Sequence, residues 1–198
     1  YVSRADNDCR WEYDNFEWHM EYRMSTLELK ELSHPSGEVI KIAAGKTLDL
    51  KSQGSVTMPT HSVIQIVNAS TTTATAQAST SSTYAQYTAL TATITPTSTS
   101  SKILVMFKGD VNIVLSGGSN THMGAQIYRG TSAVSRVFEF RHYDYGGSGQ
   151  YAIGNLASDH LDSPNTTSAT TYSIYFAHLA GTTTNMRSGD LTLMEVSA

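Results

Sequence analysis

The sequence predicts an all-β protein: a short trimeric β-helical or β-prism shaft followed by a jelly-roll-like β-sandwich. Three observations carry this. Charged residues make up only 15% of the 198, with Thr, Ser, Gly and Ala filling the deficit, a composition that favours strands over helices. From His61 onward, strand-length apolar alternations are separated by Gly, Pro and Ser turn signals. Ahead of them, over Ile40 to Met58, pairs of apolar residues recur with a step of eight.

Residues 1–37 read as an attachment segment. Trp11, Tyr13, Phe16, Trp18 and Tyr22 stand among Asp14, Glu17 and Glu21, and aromatics at this density suit a docking groove. MSTLELKEL, from Met24, reads like a natural translation start, and the piece upstream is expected to join the chain to another component. Leu27, Leu29 and Leu32 fit both helix and strand periods. His34-Pro35-Ser36-Gly37 is a turn.

Residues 38–60 carry the repeat. Ile40 and Ile42, Leu48 and Leu50, Val56 and Met58 each stand two apart, so both side chains of a pair leave the same face of a strand. Gly45 and Gly54 fall in the gaps, where a turning chain can use positive φ. A two-residue stripe is too narrow for a core within one chain. Three chains around a common axis would bury it, whereas a β-meander packed on the following domain is the plainer alternative.

Residues 61–198 read as one domain of about eight strands. HSVIQIVNA is the first, and TTTATAQASTSST is a long loop or an edge strand. In YAQYTALTATITPTS, Leu90, Ala92 and Ile94 alternate with Thr91, Thr93 and Thr95, the pattern of a strand with one wet face. SKILVMFKGDVNIVL is apolar on both faces at Ile103 to Phe107, so it is central or lies at a subunit contact. THMGAQIYRG and AVSRVFEFRHY flank a turn at Gly130. QYAIGNLA is a strand, and SDHLDSPNTTSA is expected to be a polar connection. TYSIYFAHLA and DLTLMEVSA are expected to pair antiparallel around Gly181 to Asp190. The closing LTLMEV is expected to be locked into the sheet.

The totals narrow the function classes. A net charge of −4 and a pI near 5.9 provide no cationic footprint for nucleic acid. The single cysteine, Cys9, excludes an internal disulfide framework and any multi-cysteine metal site. No apolar run approaches the roughly 20 residues of a membrane span.

GKTLDLKSQGSVTMP followed by HSVIQIV resembles the shaft-to-head junction of tailed-phage tail fibres. The ordering TATITPTSTSSKILVMF, IYRGTSAV, LDSPNTTSATTYSIYF and LTLMEV is similar to the C-terminal head of tail-fibre and related virion proteins common in marine phages. The likeness covers roughly residues 24–198. It implies a homotrimeric virion protein on the phage tail, extracellular after lysis. Its N-terminal segment would meet other tail or virion proteins, and its head would contact host surface polysaccharide or an outer-membrane protein. A capsid or tail decoration protein is the alternative, and a polysaccharide-degrading tailspike a further one.

No nucleophile elbow, P-loop, dinucleotide fingerprint or zinc-protease helix is present, so no enzyme activity and no cofactor are expected. His142, Asp144, Asp159, His160 and Asp162 are the residues to weigh for a cation, but their spacing fixes no geometry and no metal is assigned. Asp144, Asp159 and Asp162 are the acids from which a glycosidase pair would be drawn. The better candidate is RHYDYGGSGQY. There Arg141, His142, Tyr143, Asp144, Tyr145 and Tyr151 surround glycines, combining flat apolar faces with directional polar groups suited to gripping sugars or adaptable epitopes. Asp159 and His160, within SDHLD, and the segment GGSNTH are expected beside it if strand ends cluster at one pole.

Overall fold

A computed structural model describes residues 59–72, 76–115, 120–143 and 150–198, together with Ala44. The chain divides at Gly54/Ser55, and everything described below belongs to the second part. The expected attachment segment and the pairs Ile40/Ile42, Leu48/Leu50 and Val56/Met58 lie outside the described residues, as do Asp144 and Tyr145.

Every regular element among the described residues is a strand. They are β1 (Val63–Thr71), β2 (Gln77–Ser79), β3 (Ala85–Ile94), β4 (Lys102–Val114), β5 (Asn120–Arg129), β6 (Ser132–Ala133), β7 (Phe138–Tyr143), β8 (Tyr151–Asp162), β9 (Thr170–Ala180) and β10 (Thr183–Val196). They form two antiparallel sheets, the arrangement of a β-sandwich. The first runs β1-β10-β4-β8, with β2 taking over from β1 along the same edge of β10. The second runs β3-β9-β5-β7, with β6 beyond β7 on β5. From β3 to β5, and again from β7 to β10, each step in sequence crosses to the other sheet.

The expected alternation becomes the core. On β3, Leu90, Ala92 and Ile94 are buried and Thr91 and Thr93 exposed, as is Thr95 just beyond the strand. They meet Ile103, Val105 and Phe107 of β4, Ile174 and Phe176 of β9, and Leu191 and Leu193 of β10 in one cluster. Each fully buried aliphatic side chain contributes about 1.5–3 kcal/mol. The run Ile103 to Phe107 is indeed central, since β4 pairs with β10 on one side and β8 on the other.

Two expectations about connections are corrected. Ser158–Asp162 is not a polar connection but the last turn-free stretch of β8. Its inward positions, Ser158, His160 and Asp162, continue the phase of Ala152 and Leu156, but they are polar and so hide the period. TYSIYFAHLA and DLTLMEVSA do not pair with each other. β9 lies between β3 and β5, whereas β10 lies between β1 and β4. Their apolar faces meet across the core, and only Gly181 and Thr182 separate them. Gly181 has φ +112, and a Cβ there would stand 2.9 Å from Thr121 Cγ2, so glycine alone makes this crossing without strain.

The sandwich has two ends. At the root, His61 N–H donates to Ser197 O at 2.9 Å, Ser197 N–H donates to Ser62 O at 2.9 Å, and the Ser197 hydroxyl donates to Pro59 O at 2.7 Å. The far end gathers the end of β4, the starts of β5 and β8, the end of β7 and the passage from β9 to β10.

Candidate functional site: a cleft at the far end

The far end carries an open cleft of about 400 Å³ on the outer face of the first sheet, lined by Ala76, Asn112, Tyr151, Ile153, Asn185 and Arg187. Its position follows from register. Asn112 of β4 stands opposite Asn185 of β10 and opposite Ile153 of β8, so one cross-strand row supplies the floor. Tyr151 and Ile153, two apart, leave the same face of β8 and are 61% and 66% exposed. The two side chains therefore stand side by side on the open face of the strand.

The polar groups are fixed from beneath. Asn185 Nδ2 donates to Asn112 Oδ1 at 2.6 Å, leaving each amide with further donor or acceptor capacity. Among the described residues lining the cleft, Arg187 is the one charged side chain. It sits where the register of β10 against β4 shifts between Met186 and Ser188, and such a bulge re-aims a side chain out of the regular pleat. The buried Tyr87 hydroxyl donates to Arg187 O at 3.4 Å, tying the bulge to the core. The arrangement offers a flat aromatic face, an aliphatic neighbour, amide hydrogen bonds and a guanidinium.

Of the residues singled out in sequence, Tyr151 lies in the cleft. Arg141, His142 and Tyr143 close β7 and are exposed. They stand opposite His122, Thr121 and Asn120 of β5, so part of GGSNTH does lie beside RHYDYGGSGQY. Arg141 is ion-paired with Glu139. Asp159 and His160 do not join them. They lie eight and nine residues along β8 from Tyr151, roughly 26–30 Å at strand rise, toward the root, because SDHLD extends the strand instead of looping back. Asp159 and Asp162 leave opposite faces of β8, one exposed and one buried, and so cannot flank one glycosidic bond. Among the described residues, no three His, Cys, Asp or Glu side chains gather as a metal site.

No family model and no curated protein matches this chain.

Asn112, Ile153, Asn185 and Arg187 were not singled out in sequence. Ile153 left a trace, an apolar residue out of phase with Ala152 and Leu156. The bulge at Arg187 and the pairing of the two asparagines depend on register between distant strands.

Two polar clusters close the root end instead. Tyr172 donates its hydroxyl to Asp162 Oδ2 at 2.7 Å, and Arg129 Nη1 reaches the same oxygen at 2.7 Å, joining β5 and β9 to β8 across the sandwich. Burial, followed by the hydrogen bond to Asp162, pushes the Tyr172 phenol well above its usual range. Glu195 is fully buried and accepts from Gln65 Nε2 at 2.6 Å, and from Thr97 N–H at 2.7 Å and its hydroxyl at 2.6 Å. Burial alone would raise its pKa, but the hydrogen bonds from Thr97, Gln65 and Ser101 together hold the carboxyl below its ordinary value.

Proposed function

We propose that this protein is a non-enzymatic virion component: a homotrimeric tail fibre whose sandwich head adheres to glycans on the host cell surface. The observation that carries the reading is the cleft built on Tyr151, Ile153, Asn112, Asn185 and Arg187 at the end remote from Pro59. An adhesive head presents its site away from the segment that arrives from the particle. Tyrosine faces beside amides and a guanidinium are the chemistry that grips sugar rings by stacking and hydrogen bonding. The strand order also supports the reading. Leaving aside the short β2 and β6, the sheets run first-eighth-third-sixth and second-seventh-fourth-fifth. This is the order of a jelly roll, an architecture that recurs in viral capsid and lectin domains. The sequence likeness to tail-fibre heads points the same way. Adhesion would work by avidity, three weak sites per trimer and many trimers per particle.

The test is binding of the full chain to a panel of bacterial surface polysaccharides, with Tyr151→Ala and Arg187→Ala as variants. The reading expects saturable binding that weakens about 2- to 12-fold per site in Tyr151→Ala, the worth of one aromatic stack. Binding to no polysaccharide on the panel, or equal binding by both variants, would remove the cleft from the adhesive role and leave the decoration-protein alternative.

A further inference from the structure

The hydrogen-bonding groups of the cleft are unevenly matched. Among the described residues, Arg129 is ion-paired with Asp162 and Arg141 with Glu139, whereas Arg187, half-buried in the cleft wall, has no carboxylate partner. Tyr87 takes its backbone oxygen, and its guanidinium keeps a whole fork of N–H donors. A cation half withdrawn from water in this way loses hydration that no bond within the sandwich restores. Asp110, the next outward residue of β4 toward the middle of the sheet, does not supply the missing partner; its carboxylate accepts from the Ser188 hydroxyl. The amides lean the same way as the arginine. Asn112 and Asn185 share one bond, which uses one N–H and one carbonyl oxygen. Whichever way round the two amides stand, N–H groups then outnumber carbonyl oxygens. The Tyr151 hydroxyl can serve as donor or acceptor. The cleft is rich in donors and poor in acceptors.

We infer that the cleft selects sugars bearing a carboxylate: Arg187 receives the acid group, Asn112 and Asn185 hold neighbouring oxygens, and Tyr151 lies against the ring. A carboxylate is planar and acceptor-only, so it matches the guanidinium fork two bonds at a time. It also takes up donors that a neutral sugar, whose hydroxyls each bring a proton of their own, leaves partly unsatisfied. The volume of about 400 Å³ is that of a small-ligand site. The charge of the chain as a whole does not supply the preference, because a net −4 repels a polyanion at long range. The preference is local, and the Arg187 contact must exceed the opposing field of Asp110. The ligand class thereby narrows from glycans in general to acidic glycans of the uronate type. This inference rests on the adhesive reading of the cleft and not on the trimer.

The test is equilibrium binding of the full chain to alginate, polygalacturonate and hyaluronate, each compared with its own carboxyl-reduced, neutral form. Dextran sulfate serves as a polyanion without carboxylates. At least one uronate polymer is expected to bind about 10-fold or more tightly than its reduced form, the effect of one charge-assisted contact. Arg187→Gln is expected to remove that preference, and Arg187→Lys, which keeps the charge without the fork, to retain only part of it. Asn112→Asp still accepts the bond from Asn185 Nδ2 but meets the ligand with a carboxylate, and is expected to reverse the preference. Circular dichroism checks that each variant folds; if one does not, the wild-type comparison of acidic with reduced polymers decides. Equal binding of the two forms, or a preference that survives in Arg187→Gln or Asn112→Asp, overturns the inference and leaves the adhesive reading standing. Tighter binding to dextran sulfate than to every uronate polymer also overturns it, in favour of a sulfated ligand. Binding to none of these polymers, acidic or reduced, overturns the inference and counts against the adhesive reading as well.

Discussion

Tyr172→Phe removes a single oxygen from the root end, and its effect can be worked out from the surrounding bonds. The hydroxyl donates to Asp162 Oδ2 at 2.7 Å within the buried end of the sandwich. A hydrogen bond to a charged group is worth about 1.5–3 kcal/mol. Arg129 Nη1 stays on the same oxygen at 2.7 Å, so the carboxylate is not stranded and the loss belongs at the lower end, about 1.5 kcal/mol. For a domain of this size that is a fall in Tm of roughly 5 °C. The pH dependence supplies a second readout. The folded-state pKa of Tyr172 lies above its unfolded value of 10.0. Its contribution is therefore complete below pH 10 and declines above it, by up to about 1.4 kcal/mol per pH unit. Phenylalanine has no such slope. Urea denaturation of both chains at one protein concentration, from pH 7 to 11, should show a gap that is constant to about pH 10 and then closes. A variant within about 0.5 kcal/mol of wild type at pH 7, or a gap unchanged to pH 11, would refute the role given to this bond.

Other perturbations test other parts of the fold. Gly109→Ala would place a Cβ 2.6 Å from Phe107 Cζ and 2.8 Å from Ser188 O; since the backbone oxygen cannot swing aside, a loss of roughly 2–3 kcal/mol is expected in thermal or urea unfolding. Glu195→Gln should lower stability at pH 7 by about 1–3 kcal/mol. Because the folded pKa of Glu195 is depressed, its contribution is present above the unfolded value of 4.5 and lost as pH falls through the folded one, so the two chains should converge in acid denaturation curves. Leu50→Asp would put a charge on the expected trimer axis, and sedimentation equilibrium should show loss of assembly with the head still folded.

Much of the fold was legible in local pattern. The alternation of Leu90, Ala92 and Ile94 with threonines marks a buried face without reference to any partner, and the double-sided apolar run at Ile103 to Phe107 marks a strand with neighbours on both sides. The Gly130 turn, at φ +57, needed only the residues that flank it. The pattern failed where the interior itself is polar. Ser158, His160 and Asp162 hold the inward phase of β8, but Asp162 is buried because Arg129 and Tyr172 come to it from the other sheet.

The candidate site divides along the same line. Composition alone pointed to Tyr151, because an aromatic beside glycines and polar groups suits recognition wherever it lies. Joining it to Asn112, Asn185 and Arg187 took pairing between strands whose facing asparagines lie 73 positions apart in sequence, and a bulge whose place is set by register. Separating it from Asp159 and His160 took the length of β8. A sequence specifies through local periodicity which residues face inward and where the chain turns. Which faces meet, and which side chains then share one end of the sandwich, is decided by the long-range register of the sheets, whose energy is spread over the whole core.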